Sequence, residues 1–200
     1  MGDVRDVHPT KALLLDTAVE LIDEFGPQGF TVETLLDKSS ISKGSLYHHF
    51  EDFGDLIDQA QIKRFSRYID QDIEVLSREF LASTSREDLR RRIRSIVLGA
   101  HGPQRASARA DRAVIVGSSL HSEKFMRSLA VEQQRLTDAI ADVLRELQER
   151  GHAEKVVAPR VAATFVQAYS LGRILDDVAD SPIGSEAWAD VVMLALEGII

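Results

Sequence analysis

The chain has 200 residues, 44% of them hydrophobic and 28% charged, with 24 bases against 32 acids for a formal charge of −8. That length holds one ordinary domain or two small ones around a sizeable core, and the composition is that of a soluble globular protein, which excludes wholesale disorder. No apolar run approaches the roughly 20 residues of a membrane helix, the start Met1-Gly2-Asp3-Val4-Arg5-Asp6 has no apolar signal core, and the absence of cysteine removes disulfides, thiolate metal sites and cysteine nucleophiles together.

A cytoplasmic protein is expected. Its acidic balance argues against a general nucleic-acid binder. The charge is unevenly spread: residues 1–55 carry four bases against eleven acids, and the remaining 145 residues 20 bases against 21 acids. The break predicts two domains, 1–54 and 55–200. Thr10 is the expected cap of a first helix with Leu14, Ala18, Leu21, Ile22 and Phe25 at helical spacing, stopped by Gly26-Pro27. Its acids Asp16, Glu20, Asp23 and Glu24 fall on the opposite face. Thr31 suits the N-cap of a short second helix, and Ser42 that of a third carrying Leu46 and Phe50 at i, i+4. A long helix is predicted from Gly54 through Ile62, Phe65, Ile69, Ile73, Leu76 and Phe80 to Ser83. Leu89, Ile93, Ile96 and Val97 mark another, and residues 105–119 are less periodic. Phe125 to Leu147 form a long stripe closed by Gly151. Pro159 opens a helix to about Asp177, and Ser185 begins the last. Strand and hairpin signals are missing. The fold class is all-α, with about nine helices.

Two capped helices within Thr31–Phe50, joined by a small-residue turn, have the dimensions of a helix-turn-helix. This stretch resembles the DNA-binding head of the TetR (tetracycline-repressor-like) family. The matches are Thr31, Leu35, Ile41, Ser42, Gly44, Leu46, Tyr47, His49 and Phe50, with Leu56 in the next helix. The resemblance implies a three-helix head that binds double-stranded DNA through Thr31, Ser42, Lys43, Gly44, Ser45, Tyr47, His48 and His49. The third helix lies in the major groove; Lys43, Ser45 and His48 are the candidate base readers, while Thr31, Ser42, Tyr47 and His49 suit phosphate. Three positions depart from the family pattern. Ser39-Ser40 replaces Ala-Gly, which places Ser40 in a left-handed conformation. Leu36 replaces a small residue and is expected to spread the two helices. Phe53 stands where the family has a phosphate-anchoring lysine, beside Glu51, Asp52 and Asp55.

For the larger helical body the resemblance extends to architecture. It implies a homodimer and a pocket for a small lipophilic inducer. Val161, Phe165, Ala168, Gly172 and Leu175 form one candidate interface stripe, and Trp188, Val192 and Ala195 another. Phe65, Ile69, His101, His121, Phe125, Met126, Phe165 and Tyr169 are the candidate pocket residues. The arginines Arg86, Arg90, Arg91, Arg92 and Arg94 form a basic run read as a solvated face, with an anion site as the alternative. No catalytic motif, metal site or cofactor is expected. The reading is a ligand-responsive regulator, a repressor on a palindromic operator. The alternatives are a DNA-binding protein without inducer, constitutive or chromosome-organising, and an interaction protein whose head no longer binds DNA. Inducer, operator and regulated genes are not legible.

Overall fold

A computed structural model describes residues 8–199, so residues 1–6, on which the reading of no signal core rests, lie outside the described residues. Among the described residues there is no strand. Nine helices of seven or more residues follow one another: α1 Pro9–Phe25, α2 Val32–Ser39, α3 Lys43–His49, α4 Phe53–Leu81, α5 Arg86–His101, α6 Ala106–Ser119, α7 Glu123–Glu149, α8 Pro159–Gly172 and α10 Ser185–Leu196. A single turn, α9 Ile174–Asp177, separates the last two, and a 3₁₀ turn, Pro103–Arg105, precedes α6. The helix expected to run from Pro159 to Asp177 is thus α8 and α9.

The chain divides into two compact units between Arg67 and Tyr68. The charge break at residue 55 marks the start of α4 instead, and the first turns of α4 belong to the head. Leu56 and Ala60 sit fully inside the head core with Leu14, Ala18, Leu21, Ile22, Leu35, Leu46 and Phe50. Electrostatics repeats the arrangement: Lys63 and Arg67 of α4 pair with Asp16, Arg64 with Asp23 at 2.7 Å, and Lys38 of α2 with Glu20. Three of the four acids of the α1 stripe, Asp16, Glu20 and Asp23, are thus paired with cations of α2 and α4.

Local chemistry explains the head's short helices. Thr31 Oγ1 accepts the Thr34 N–H at 3.3 Å and Ser42 Oγ the Ser45 N–H at 3.2 Å, each relieving an orphan donor of a first turn. The first helix starts earlier than Thr10. Pro9, with its φ already helical, takes the first helical position, and His8 caps through Nδ1, which accepts the Thr10 N–H at 3.3 Å. Ser40 ends α2 at φ 55, ψ 27, the left-handed conformation expected. A non-glycine residue there costs roughly 1–2 kcal/mol. Ser40→Gly should raise head stability by up to about 1 kcal/mol, seen as a higher midpoint in thermal or urea melts; a lower midpoint would mean that Ser40 contributes contacts glycine cannot replace. Leu36 is half-buried against the head core, so the larger residue is absorbed by packing.

The second unit is built on α5, α7, α8 and α10. Leu89, Ile93 and Val97 meet Ala189, Val192 and Leu196 across α5 and α10. Val143, Leu144 and Leu147 of α7 meet Ala162 of α8. A polar ladder ties α7 to α8: Gln167 donates to Thr137 Oγ1 at 3.0 Å and accepts from Gln133.

Candidate functional site

The first turn of α3 carries Lys43, Gly44 and Ser45. Lys43 and Gly44 are exposed, and the capping residues Thr31 and Ser42 are exposed beside them. A Cβ built on Gly44 meets nothing nearer than Ser42 Oγ at 4.0 Å, so internal packing does not demand glycine there. Ser45 is half-buried, and its hydroxyl lies 3.1 Å from Ser42 Oγ, which ties it to the cap. Glu33 is an acid close to this turn. Its own backbone N–H, then the Thr31 hydroxyl, and finally Lys43, hold its carboxyl below the usual range.

The far end of α3 gathers cations that the sequence does not reveal as a group. Tyr47 is 44% exposed, His48 is exposed and His49 half-buried. The His49 ring lies 4.8 Å from His8 and 5.0 Å from His48, and Lys11 sits 5.3 Å from the centre of the Phe50 ring. Lys11 and His8 stand on α1 and its cap, so only the packing of α1 across α3 brings them here. Partial burial first, then the positive character of His8, His48 and Lys11, holds His49 below the ordinary histidine value. The sign follows: the head has its full stability above about pH 6.5 and loses part of it as pH falls through the depressed folded value. DNA phosphate beside His49 would act oppositely and favour its protonation. Wild-type operator affinity should therefore rise more steeply from pH 7.5 to 6 than that of His49→Gln, while wild-type melts shift downward over the same range. Parallel affinity curves for the two proteins would remove His49 from the phosphate contacts.

Phe53 does not reach outward as the family's lysine position implied. It is half-buried against the head core, edge-on to Phe30 with centroids 5.7 Å apart. Two of the neighbouring acids are engaged at the start of α4: Asp52 Oδ1 accepts the Asp55 N–H at 2.7 Å, and Asp55 Oδ2 accepts the Glu51 N–H at 3.1 Å. Phe53→Lys should therefore cost about 1–2 kcal/mol of head stability from lost burial and leave the salt dependence of DNA binding unchanged. A stable variant with a steeper salt slope would place residue 53 on the phosphate backbone after all.

The eight candidate pocket residues differ in their surroundings. Phe65, Ile69 and Phe125 are buried core, His121 is exposed ahead of α7, and Met126 faces solvent. Three of them meet: the His101 and Tyr169 rings are 5.8 Å apart, and Phe165 lies 5.8 Å beyond Tyr169. Trp188 joins this chain 6.0 Å from His101, so it packs inward rather than on an interface. Val192, 3% exposed, is likewise core. Helix α10 is apolar on two sides, and the outward one is Val191, Leu194 and Ala195. On α8 and α9, Val161, Phe165, Ala168 and Leu175 are at least partly open to solvent. Four of the five arginines of the run are paired: Arg91 and Arg92 with Asp88, Arg92 also with Glu79, Arg94 with Asp190 and Glu186, Arg86 with Glu154. A surface groove of about 450 Å³ beside it is lined by Val75, Arg78, Glu79 and Arg92. No helix among the described residues is long and apolar enough to cross a membrane, and no group of three or more ligating side chains able to hold a metal occurs among them.

Comparison with known proteins places these features. Residues 14–60 match the model for bacterial regulatory proteins of the tetR family. The HTH-type transcriptional regulator BetI of Escherichia coli O127:H6 (strain E2348/69 / EPEC) is 26% identical over 168 residues, covering 82% of this chain and 84% of that protein. A TetR-family regulator from Mesorhizobium loti MAFF303099 superposes with a TM-score of 0.70 at 17% identity, covering 98% and 99% of the two chains. Bacillus subtilis FadR in complex with stearoyl-CoA superposes with a TM-score of 0.61 at 15% identity, covering 94% and 99%. The matched segment begins in α1, spans the capped α2–turn–α3 unit with its exposed first turn, and ends within α4. The chain is thus similar to TetR-family transcriptional regulators, with the family's helix-turn-helix DNA-binding head matched over residues 14–60 and an all-helical body.

Proposed function

We propose that the protein is a cytoplasmic, homodimeric, non-enzymatic repressor that occupies a palindromic operator and is released by a small effector held in its body. The observation that carries this is the exposed Lys43-Gly44 pair at the start of α3, flanked by the capping hydroxyls of Thr31 and Ser42 and by Tyr47 and His49. Lys43 reads guanine acceptors; the others set register on phosphate. The acidity of the head does not oppose this role, because Asp16, Glu20 and Asp23 of α1 are paired with cations of α2 and α4. That pairing favours the DNA-binding reading over a head that has lost it. The family works through dimers, and Val161, Phe165, Ala168, Gly172 and Leu175 with Val191, Leu194 and Ala195 are the apolar face offered for one. FadR, a structural neighbour, binds stearoyl-CoA; by analogy the effector here is a molecule with an apolar part. Binding shifts the population of dimers away from the operator-competent form.

The test is selection of binding sites from a random duplex pool with the full chain, followed by footprinting of the enriched sequence. The expected result is an inverted repeat whose half-sites are one helical turn, or a multiple of one, apart. A pool with no enriched sequence would overturn the reading.

A further inference from the structure

In the second unit, the end of α5, α6, the α8–α9 junction and α10 bury a polar cluster. Arg109, 7% exposed, is fully engaged: Nε and Nη2 each donate to Asp177 at 2.7 Å, and Nη1 donates to the Ala100 and Gly102 carbonyls. Arg173, 4% exposed, is not. Its Nη1 donates to Asp176 and its Nη2 to the Ile183 carbonyl at 2.7 Å, but its Nε is sealed from solvent with no hydrogen-bond partner among the described residues. The same holds for Trp188 Nε1. The two residues are neighbours, with the Arg173 guanidinium carbon 5.1 Å from the centre of the Trp188 ring.

Two buried N–H donors without an acceptor, on neighbouring side chains, are unusual, since buried polar groups are nearly always satisfied. The local charges balance, Arg109 against Asp177 and Arg173 against Asp176, so what stays unmet here is hydrogen-bond donors rather than charge. Asp177 is taken up by Arg109, and Asp176 is shared between Arg173 and the Ile183 N–H at 3.1 Å, so neither carboxylate is spare. The His101 ring lies beside Trp188 with its Nδ1–H donating to the Val97 carbonyl at 2.9 Å. From Trp188 and His101 the aromatic chain continues through Tyr169 to Phe165, which is 42% exposed at the rim.

We infer that Arg173 Nε and Trp188 Nε1 form a subsite for the carboxylate head of an amphipathic effector, whose apolar part lies along Tyr169 and Phe165. This deepens the proposed function and rests on the body being an effector domain. It replaces a purely lipophilic inducer with a monoanion bearing a short apolar tail. A carboxylate supplies two acceptor oxygens, and charge-assisted bonds to a guanidinium are stronger than neutral ones.

Trp188 is the chain's one tryptophan, so its fluorescence reports the subsite directly. The full-length protein is titrated with octanoate and, separately, with octan-1-ol. Saturable quenching or enhancement is expected with octanoate, at an affinity at least about tenfold above that for the alcohol. Trp188→Phe keeps an aromatic ring and deletes the donor; followed by calorimetry, it should bind octanoate about tenfold more weakly with an unchanged or higher melting temperature. Arg173→Lys keeps the cation without the Nε–H and should lose affinity similarly. Equal affinity for acid and alcohol, no saturation by octanoate, or unaltered octanoate binding by a folded Trp188→Phe would each overturn the subsite. Operator release is read separately. Octanoate that binds as expected without displacing the selected operator supports the subsite and removes its link to repression. Failure to select any operator sinks the regulatory reading and leaves the fluorescence result standing.

Discussion

Gly44→Leu is expected to abolish operator binding while leaving the head folded. The major groove is about 12 Å wide and a helix with its side chains about 10–12 Å across, so the first turn of α3 has no clearance for an added branched side chain. Nothing inside the protein opposes the change, because a Cβ at residue 44 meets only Ser42 Oγ, at 4.0 Å. Replacing glycine by leucine in a helix gains roughly 0.5–1 kcal/mol, so the melting temperature should hold or rise by a few degrees. Operator affinity should fall at least about 100-fold, equivalent to about 2.7 kcal/mol. Opposite signs on stability and binding separate a contact with DNA from a role in the fold. Retained affinity in a folded variant would mean that this turn does not enter the groove.

The head is readable in the sequence where its determinants are local. Thr31 and Ser42 cap through bonds three residues away, and Leu35, Leu46 and Phe50 face inward at helical spacing. The left-handed Ser40 is legible through the resemblance, because it stands where the family has glycine. Where the determinant is another helix or its flank, local pattern misleads. Phe53 sits at a position that in the family faces phosphate, but its ring finds Phe30 from before α2. Lys11 and His8 carry no signal in the sequence and matter because α1 crosses the end of α3.

The body is harder to read for a related reason. Helix α10 has two apolar faces, one of Ala189, Val192 and Leu196 and one of Val191, Leu194 and Ala195, and periodicity does not say which is turned inward. Trp188 and Val192, expected at an interface, therefore lie on the inner side. The contacts of His101 with Tyr169 and of Arg109 with Asp177 each join residues 68 positions apart, and their spacing in sequence carries no trace of that. Arg173 gives no signal either, because one arginine amid an apolar stripe reads as a surface residue until its burial is known.

Val161→Asp combined with Leu194→Asp is expected to convert the proposed dimer to monomers and, with that, to remove tight operator binding. Val161 is 62% and Leu194 65% exposed in the single chain, so neither substitution empties the core, and the melting transition of the isolated chain should move little. In a dimer built on this face, four carboxylates would lie within an apolar contact. Burying unpaired charge costs several kcal/mol, more than a helix–helix interface of this kind has to spare. Sedimentation should then show the mass of one chain at concentrations where wild type shows two. Loss of the second head removes the avidity of two half-sites, so affinity for the full palindrome should fall by a factor of about 10² to 10⁴. Affinity for a single half-site should stay the same, because α3 and its flanking residues are untouched. That last comparison is decisive: a variant that remains dimeric, or one that loses half-site binding as well, would show that this apolar face of α8 and α10 is not where two copies meet.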